Sequence, residues 1–411
     1  MRLIEKKYVI PFLLIITLFF MWGFARAVLD VLNKHFQDTL HISLSQSTFV
    51  QAMAYLGYFL MAIPAGMIIN RYGYRRGVVG GLLLFAIGAF MFIPGAEMLS
   101  VPIFLIALFI IGCGLVVLET SANPYAAELG EESTAAARLN FAQSFNGLGC
   151  ILAPVLVGGF LFGSNDASVA IPYCVMGVIV LVVALIFAKV SLPELSTPEE
   201  KNIESSEGVR KGTLNEIAQL LRVNQFLCGL IALLFYEIAE ISINSLFINY
   251  VTSDGWMDKS TASVILSFGA LGLFMSARIV GSWVMTKVKA VTVLMFCGMM
   301  TVIGAVAVMM NLGLISRVGL FICYAFEAIM FPTIFAITIG YAKGMVKTAS
   351  SLLMMTPIGG AIGTMLMGVI SETISLSMAF IVPAFGYACV FFYSVIIKGT
   401  VNNESNRLRS R

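Results

Sequence analysis

The run Leu118-Glu119-Thr120-Ser121-Ala122-Asn123-Pro124-Tyr125 places a carboxylate, two hydroxyls, an amide and a proline within one or two helical turns. It follows directly on an apolar stretch from Val101. Lipid would leave those polar groups without hydrogen bonds, so a helix carrying them must turn them towards protein or water. Glu119 is therefore a site candidate. A carboxylate there can accept hydrogen bonds from hydroxyl groups and can exchange a proton, and one residue doing both would couple the two events. The competing role is a buried ion pair with an arginine.

Few other ionisable residues interrupt apolar sequence: Arg26, Asp30, Glu237, Glu240, Arg278 and Glu327. Such residues are costly at depth and usually line a functional path. Asp30 closes the stretch Trp22-Gly23-Phe24-Ala25-Arg26-Ala27-Val28-Leu29-Asp30 and is expected near the mouth of its helix, as a group that takes up and releases protons. Arg26 precedes it by four residues on the same helical face, so the two can also form a structural pair. Gln143 and Asn146 lie three apart and share a face, behind Arg138 and Asn140. Neutral amides both donate and accept, which suits polyhydroxylated ligands. Their alternative use is a bond between helices. Of the two carboxylates at Glu237 and Glu240, the second is the better cavity candidate. Trp22 and Asn123 complete the residues expected to touch substrate.

These residues need helices to hold them. The 411-residue chain is 59% hydrophobic and 11% charged, too little charge for the surface of a soluble protein of this size. Crossing a bilayer takes about 20 apolar residues. Spans 1 to 12 are read at 8–32, 45–70, 76–95, 101–127, 139–163, 169–192, 225–250, 261–286, 290–312, 316–341, 347–371 and 376–398. A charged linker, 193–224, divides them six and six, giving an N-terminal unit at 1–192 and a C-terminal unit at 225–411, with a short surface helix expected near Leu214–Leu221. Arg2, Lys6, Lys7, Arg71, Arg75, Arg76, Arg138, Lys201, Arg210, Lys211, Arg222, Lys287, Lys289, Lys343, Lys347, Lys398, Arg407, Arg409 and Arg411 all fall on one side, with only Lys34, Lys259 and Arg317 in the opposite loops. The positive-inside rule puts both termini and the linker in the cytoplasm. The basic start continues into functional-looking residues without a cleavage site, so it reads as a first span and not a signal peptide.

The halves repeat. Gly57 and Gly66 of span 2 match Gly272 and Gly281 of span 8 at an offset of 215, and Glu119 and Pro124 of span 4 match Glu327 and Pro332 of span 10 at an offset of 208. An offset of 214 sets Glu240 opposite Arg26. Two parallel six-helix units suit alternating access, with substrate held between them near the midplane. The seven cysteines all sit in apolar stretches without metal-like spacing and are read as packing residues. His35 and His41 fall in the first outer loop with no plausible catalytic partners, so an enzyme is not expected.

The loop Gly66-Met67-Ile68-Ile69-Asn70-Arg71-Tyr72-Gly73-Tyr74-Arg75-Arg76 resembles the major facilitator signature between spans 2 and 3, with Asn70 where many members carry aspartate. Its arginines either signal topology or latch neighbouring helix ends. The segments Glu119-Thr120-Ser121-Ala122-Asn123-Pro124-Tyr125 and Arg138-Leu139-Asn140-Phe141-Ala142-Gln143-Ser144-Phe145-Asn146 are similar to the fucose–galactose–glucose:H⁺ symporter family. So are Tyr58-Phe59, Pro64-Ala65-Gly66 and Phe331-Pro332-Thr333-Ile334-Phe335. The resemblance implies an all-α membrane protein of twelve helices in two pseudo-symmetric bundles. It implies Asp30 and Glu119 as proton-coupling carboxylates, Gln143 and Asn146 as sugar-contacting amides, and no cofactor beyond the proton gradient. Arg71, Arg75, Arg76, Arg138, Arg278 and Glu327 are then gating or structural residues.

Span 1 departs from that family, with Leu29 where an asparagine is usual and a guanidinium at Arg26. Arginine binds carboxylates bidentately, which suggests an acidic sugar such as a uronate or sialic acid. The alternative is that Arg26 pairs with Asp30, Glu119 or Glu240 and the substrate is a neutral hexose, deoxyhexose or N-acetylhexosamine. Sodium coupling, drug or metabolite efflux and a receptor without flux are the remaining classes; the amides of span 5 argue against efflux. The expected setting is a bacterial inner membrane, with a sugar and lipid as partners, no nucleic acid, and a functional monomer.

Overall fold

Long apolar segments satisfy their backbone polar groups in lipid only as helices, and the described residues are helical almost throughout. The computed structural model describes residues 4, 8–40, 44–153, 156–157, 170–190, 206–253, 255–342 and 344–409, with the side chains at 29–52, 206–211, 259, 260, 263 and 401–409 left aside. Among the described residues, ten helices are long and apolar enough to cross a membrane. One of these, Met53–Glu97, carries spans 2 and 3 together. The turn between them is Gly73, whose φ of 81° suits glycine alone without strain. Span 5, Ala135–Ala153, falls outside the ten because Arg138, Asn140, Gln143 and Asn146 make it polar.

Two elements differ from expectation. The helix of span 1 runs Val9–Leu40, past the expected end, so Asp30 lies within it and not at its boundary. The Asp30 side chain and its proposed pairing with Arg26 lie outside the described residues, as do the side chains of His35 and His41. The linker helix spans Ser206–Leu220, starting earlier than the expected Leu214–Leu221, and the linker residues before it lie outside the described set.

Spans 4, 7 and 10 are the most buried. In span 4 every residue from Ile111 to Ala127 is buried, which makes it a central element. Leu60, Ile87, Ile106, Leu185, Met365 and Phe392 face the exterior, apolar surface suited to lipid. Small residues bring spans together: a Cβ at Gly23 of span 1 would fall onto the carbonyl oxygen of Asn146 in span 5. The described cysteines form no disulfide among themselves, and Cys150 Sγ rests 3.3 Å from the Gly23 carbonyl between those same two spans.

Two central helices are interrupted beside polar residues. Span 10 is two helices, Leu314–Glu327 and Met330–Gly340, and span 11 is Val346–Leu353 followed by Ile358–Thr373. Span 4 stays helical through Pro124. A proline inside a helix has no N–H for the carbonyl four residues back. Pro124 therefore releases the Thr120 carbonyl, and Pro332 releases that of Ala328. The repeat seen in the sequence thus produces the same backbone defect in each half, one residue after Glu119 and one after Glu327.

Candidate functional site

Both released carbonyls are recaptured by side chains. Ser350 Oγ of span 11 donates to the Thr120 carbonyl at 2.9 Å, and Arg278 Nε of span 8 donates to the Ala328 carbonyl at 2.8 Å. The first bond joins the two halves of the chain. Further bonds cross between them nearby: Ser282 Oγ to the Ala137 carbonyl at 2.8 Å, Asn140 Nδ2 to Thr333 Oγ1 at 3.0 Å, and Asn123 Nδ2 to Met354 Sδ at 3.6 Å. Closer to the linker, Asn70 Nδ2 donates to Thr348 Oγ1 at 3.0 Å, and Thr348 in turn bonds Glu216 of the linker helix. The halves are therefore fastened at the linker end.

Above this seam the polar groups form a connected line. Arg278 Nη1 donates to the Gln143 backbone carbonyl at 3.0 Å and sits 3.5 Å from its side-chain Oε1. Gln143 Nε2 donates to Asn123 Oδ1 at 3.1 Å. Asn123 and Tyr58 stand within hydrogen-bonding reach of Glu119, which also faces the charges of Arg26 and Arg278. Trp22 Nε1 donates to the Tyr58 hydroxyl. Glu119 is 3% exposed, yet its Oε2 has no hydrogen-bond partner, and Asn146 Nδ2, also buried, has none either. Buried polar atoms are nearly always paired, so the unpaired acceptor and unpaired donor make this region the candidate site.

The second half supplies its own cluster. Glu240 Oε2 lies 3.6 Å from Arg26 Nη2, an ion pair between spans 7 and 1. Asn244 Nδ2 donates to Glu240 Oε1 at 3.0 Å, and the Tyr324 hydroxyl donates to Asn244 Oδ1 at 2.9 Å. Of the three partners considered for Arg26, the geometry places Glu240 against it. Glu327 is fully buried, takes a hydrogen bond from the Tyr387 hydroxyl, and keeps Oε1 unpaired. It belongs to the interior of the second half.

The arginines of the signature loop differ in what they touch. Arg75 donates to the Ala188 carbonyl at the end of span 6, Arg71 lies over the Tyr72 ring at 5.2 Å, and Arg76 is exposed. Contact with the other half at this point runs through Asn70 and through Gly66, where a Cβ would sit 2.6 Å from Ser351 Oγ. Arg138 works inside its own half. Its guanidinium donates to the carbonyls of Ala126, Ala127 and Glu131 and to Thr134 Oγ1, capping the end of span 4. Sequence reasoning passed over Ser282, Thr348 and Ser350, and named Tyr58 and Thr333 only within family-like segments, without a role. An available signal was the repeat itself: Lys347 follows Arg138 at an offset of 209, which marks the hydroxyl-rich start of span 11 as the counterpart of the amide-rich start of span 5.

Two repeated helical units, fastened at one end around buried polar groups, define a carrier and not a catalyst. The chain matches the Major Facilitator Superfamily over residues 13–356 and belongs to that family. It is 31% identical over 426 residues to the L-fucose-proton symporter of Escherichia coli (strain K12), covering 97% of this chain and 95% of that protein. It is 30% identical over 403 residues to a glucose/galactose transporter of Brucella abortus biovar 1 (strain 9-941), covering 95% of each. Its fold matches the crystal structure of FucP in the outward conformation with a TM-score of 0.84 and 30% identity, covering 95% of this chain and 99% of that one. The xylose symporter XylE, at 15% identity and a TM-score of 0.74, shares the fold. The architecture is the twelve-helix major facilitator fold in two pseudo-symmetric bundles.

Proposed function

We propose that the chain is a proton-coupled sugar symporter that imports a monosaccharide of the fucose/hexose class across a bacterial inner membrane by alternating access. The observation that carries this is Glu119: a buried carboxylate with one unpaired oxygen, set among the amides Asn123 and Gln143 where the two halves meet. A sugar hydroxyl can donate to that oxygen, and the free Nδ2 of Asn146 can donate to a second hydroxyl. Trp22, held by Tyr58, is the further sugar contact in this scheme. Asp30 and Glu119 carry the proton. Binding favours the protonated carrier open on the far side; rocking of the halves then opens the linker end, and deprotonation resets the site.

The activities of the relatives and the outward conformation of FucP support this scheme. The positive-side loops support cytoplasmic termini, which makes the closed linker end the cytoplasmic end. The units are taken as 1–192 and 225–411 around the linker at 193–224. The site lies between halves of a single chain, so the monomer is complete. The Arg26–Glu240 pair favours a neutral sugar, because the guanidinium already has a carboxylate. An acidic substrate that displaces Glu240 is the second reading.

Reconstituted protein decides between these. L-Fucose, D-galactose or D-glucose should accumulate when a pH gradient, acid outside, is the sole driving force. Asp30→Asn should lose uphill uptake, and Gln143→Ala or Asn146→Ala should weaken half-saturation by about tenfold each. Accumulation that follows a sodium gradient at equal pH would replace the proton in the scheme, and preferred uptake of a uronate would replace the neutral sugar.

A further inference from the structure

Arg278 is buried and tied in three directions. Its Nε holds the carbonyl that Pro332 releases at Ala328, its Nη1 holds Gln143 in the other half, and its guanidinium lies over the Phe274 ring at 4.4 Å. Two of these anchors, Phe274 and Ala328, belong to the second half and fix the guanidinium there. The third lies across the seam. We infer that Arg278 is a positioning residue that orients the Gln143 amide only while the linker end is closed, so that sugar is held more tightly from the far side than from the linker side.

The physical basis is preorganisation. A free glutamine side chain samples many rotamers, and fixing it beforehand removes that entropic cost from ligand binding. In the closed arrangement the Gln143 amide is fixed at both ends, with Oε1 facing Arg278 and Nε2 bonded to Asn123. Asn123 reaches on to Glu119. When the seam opens, Arg278 moves away with span 8 and the line from Gln143 to Glu119 loses its outer support. A carrier working by alternating access needs such a difference: capture on one face, release on the other. The charge on Arg278 also strengthens its bond to the Gln143 carbonyl relative to a neutral donor.

The inference rests on Gln143 being a sugar contact, and the test separates the two. Exchange of whichever of L-fucose, D-galactose or D-glucose the wild type carries is measured at equal pH, with sugar varied outside and saturating inside, in right-side-out vesicles for the far face and inside-out vesicles for the linker face. Arg278→Gln is expected to raise half-saturation at the far face by about tenfold and to leave the linker face within about twofold. Arg278→Lys should fall between, since an ammonium cannot hold Ala328 and Gln143 with the geometry of a guanidinium. Phe274→Leu removes only the ring beneath the charge and should move the same ratio about two- to threefold; it decides the matter if the Arg278 variants do not reach the membrane. A shift equal at both faces, or a lower maximal rate with an unchanged ratio, overturns the inference while Gln143→Ala still weakens binding. Unchanged half-saturation in Gln143→Ala overturns the assignment of Gln143 itself.

Discussion

Glu240→Gln is expected to turn the carrier towards acidic sugars. In the wild type a substrate carboxylate must displace Glu240 before it can reach Arg26. The two charges lie 3.6 Å apart. At an effective dielectric constant of about 20 that separation corresponds to roughly 4–5 kcal/mol. The Arg26 side chain is 31% exposed and Glu240 9%, so water screens one partner and the net coupling falls to about 1–2 kcal/mol. Glutamine keeps the side-chain shape and can still accept from Asn244, so only the charge is lost. The preference for D-galacturonate over D-galactose should then rise by about 5- to 30-fold. Counterflow in proteoliposomes, with each sugar competing in turn, reads that ratio directly. A wild type that already prefers galacturonate, or an unchanged ratio in Glu240→Gln, refutes the pairing argument. The double variant Arg26→Gln, Glu240→Gln should return the ratio to near its wild-type value.

Two further substitutions probe the scaffold. Gly23→Ala forces a methyl onto the Asn146 carbonyl and should push spans 1 and 5 apart, at a cost of about 1–3 kcal/mol or more. A lowered melting temperature in detergent and weakened sugar binding are expected; normal values for both would mean that the spans do not approach there. Ser350→Ala strands the Thr120 carbonyl, costing about 1–2 kcal/mol of the closed state. Hydrogen exchange across Val346–Leu353 should accelerate by about 5- to 30-fold, whereas unaltered exchange would show that this bond does not fasten the seam.

Much of the architecture was legible because the bilayer imposes one strong rule. Apolar runs of sufficient length must be helices, and their breaks are the charged loops. Ionisable residues inside the runs then pointed to the interior, where Glu119, Glu240, Arg278 and Glu327 are all buried. The repeat predicted more than it was asked to: Glu119–Pro124 and Glu327–Pro332 produce matching orphan carbonyls. What captures those carbonyls was not legible. Ser350 and Arg278 come from other helices, and only packing across the seam reveals them. The latch shows the same limit. The loop arginines attracted attention by their charge, but the contact across the halves is made by Asn70, Thr348 and the linker's Glu216, whose types carry no distinctive signal. The partner of Arg26 also stayed open, because sequence spacing allowed three carboxylates and only the structure sets Glu240 beside it.

Glu119 carries the central claim, that one buried carboxylate serves both the sugar and the proton. The most direct measurement compares Glu119→Gln with the wild type in proteoliposomes, following sugar exchange at equal pH and uphill uptake driven by a pH gradient. Glutamine retains an acceptor for the sugar hydroxyl but cannot cycle a proton. The expected result is exchange that persists, with half-saturation weakened by about tenfold or less, together with loss of uphill uptake. Full uphill accumulation by Glu119→Gln would contradict the account.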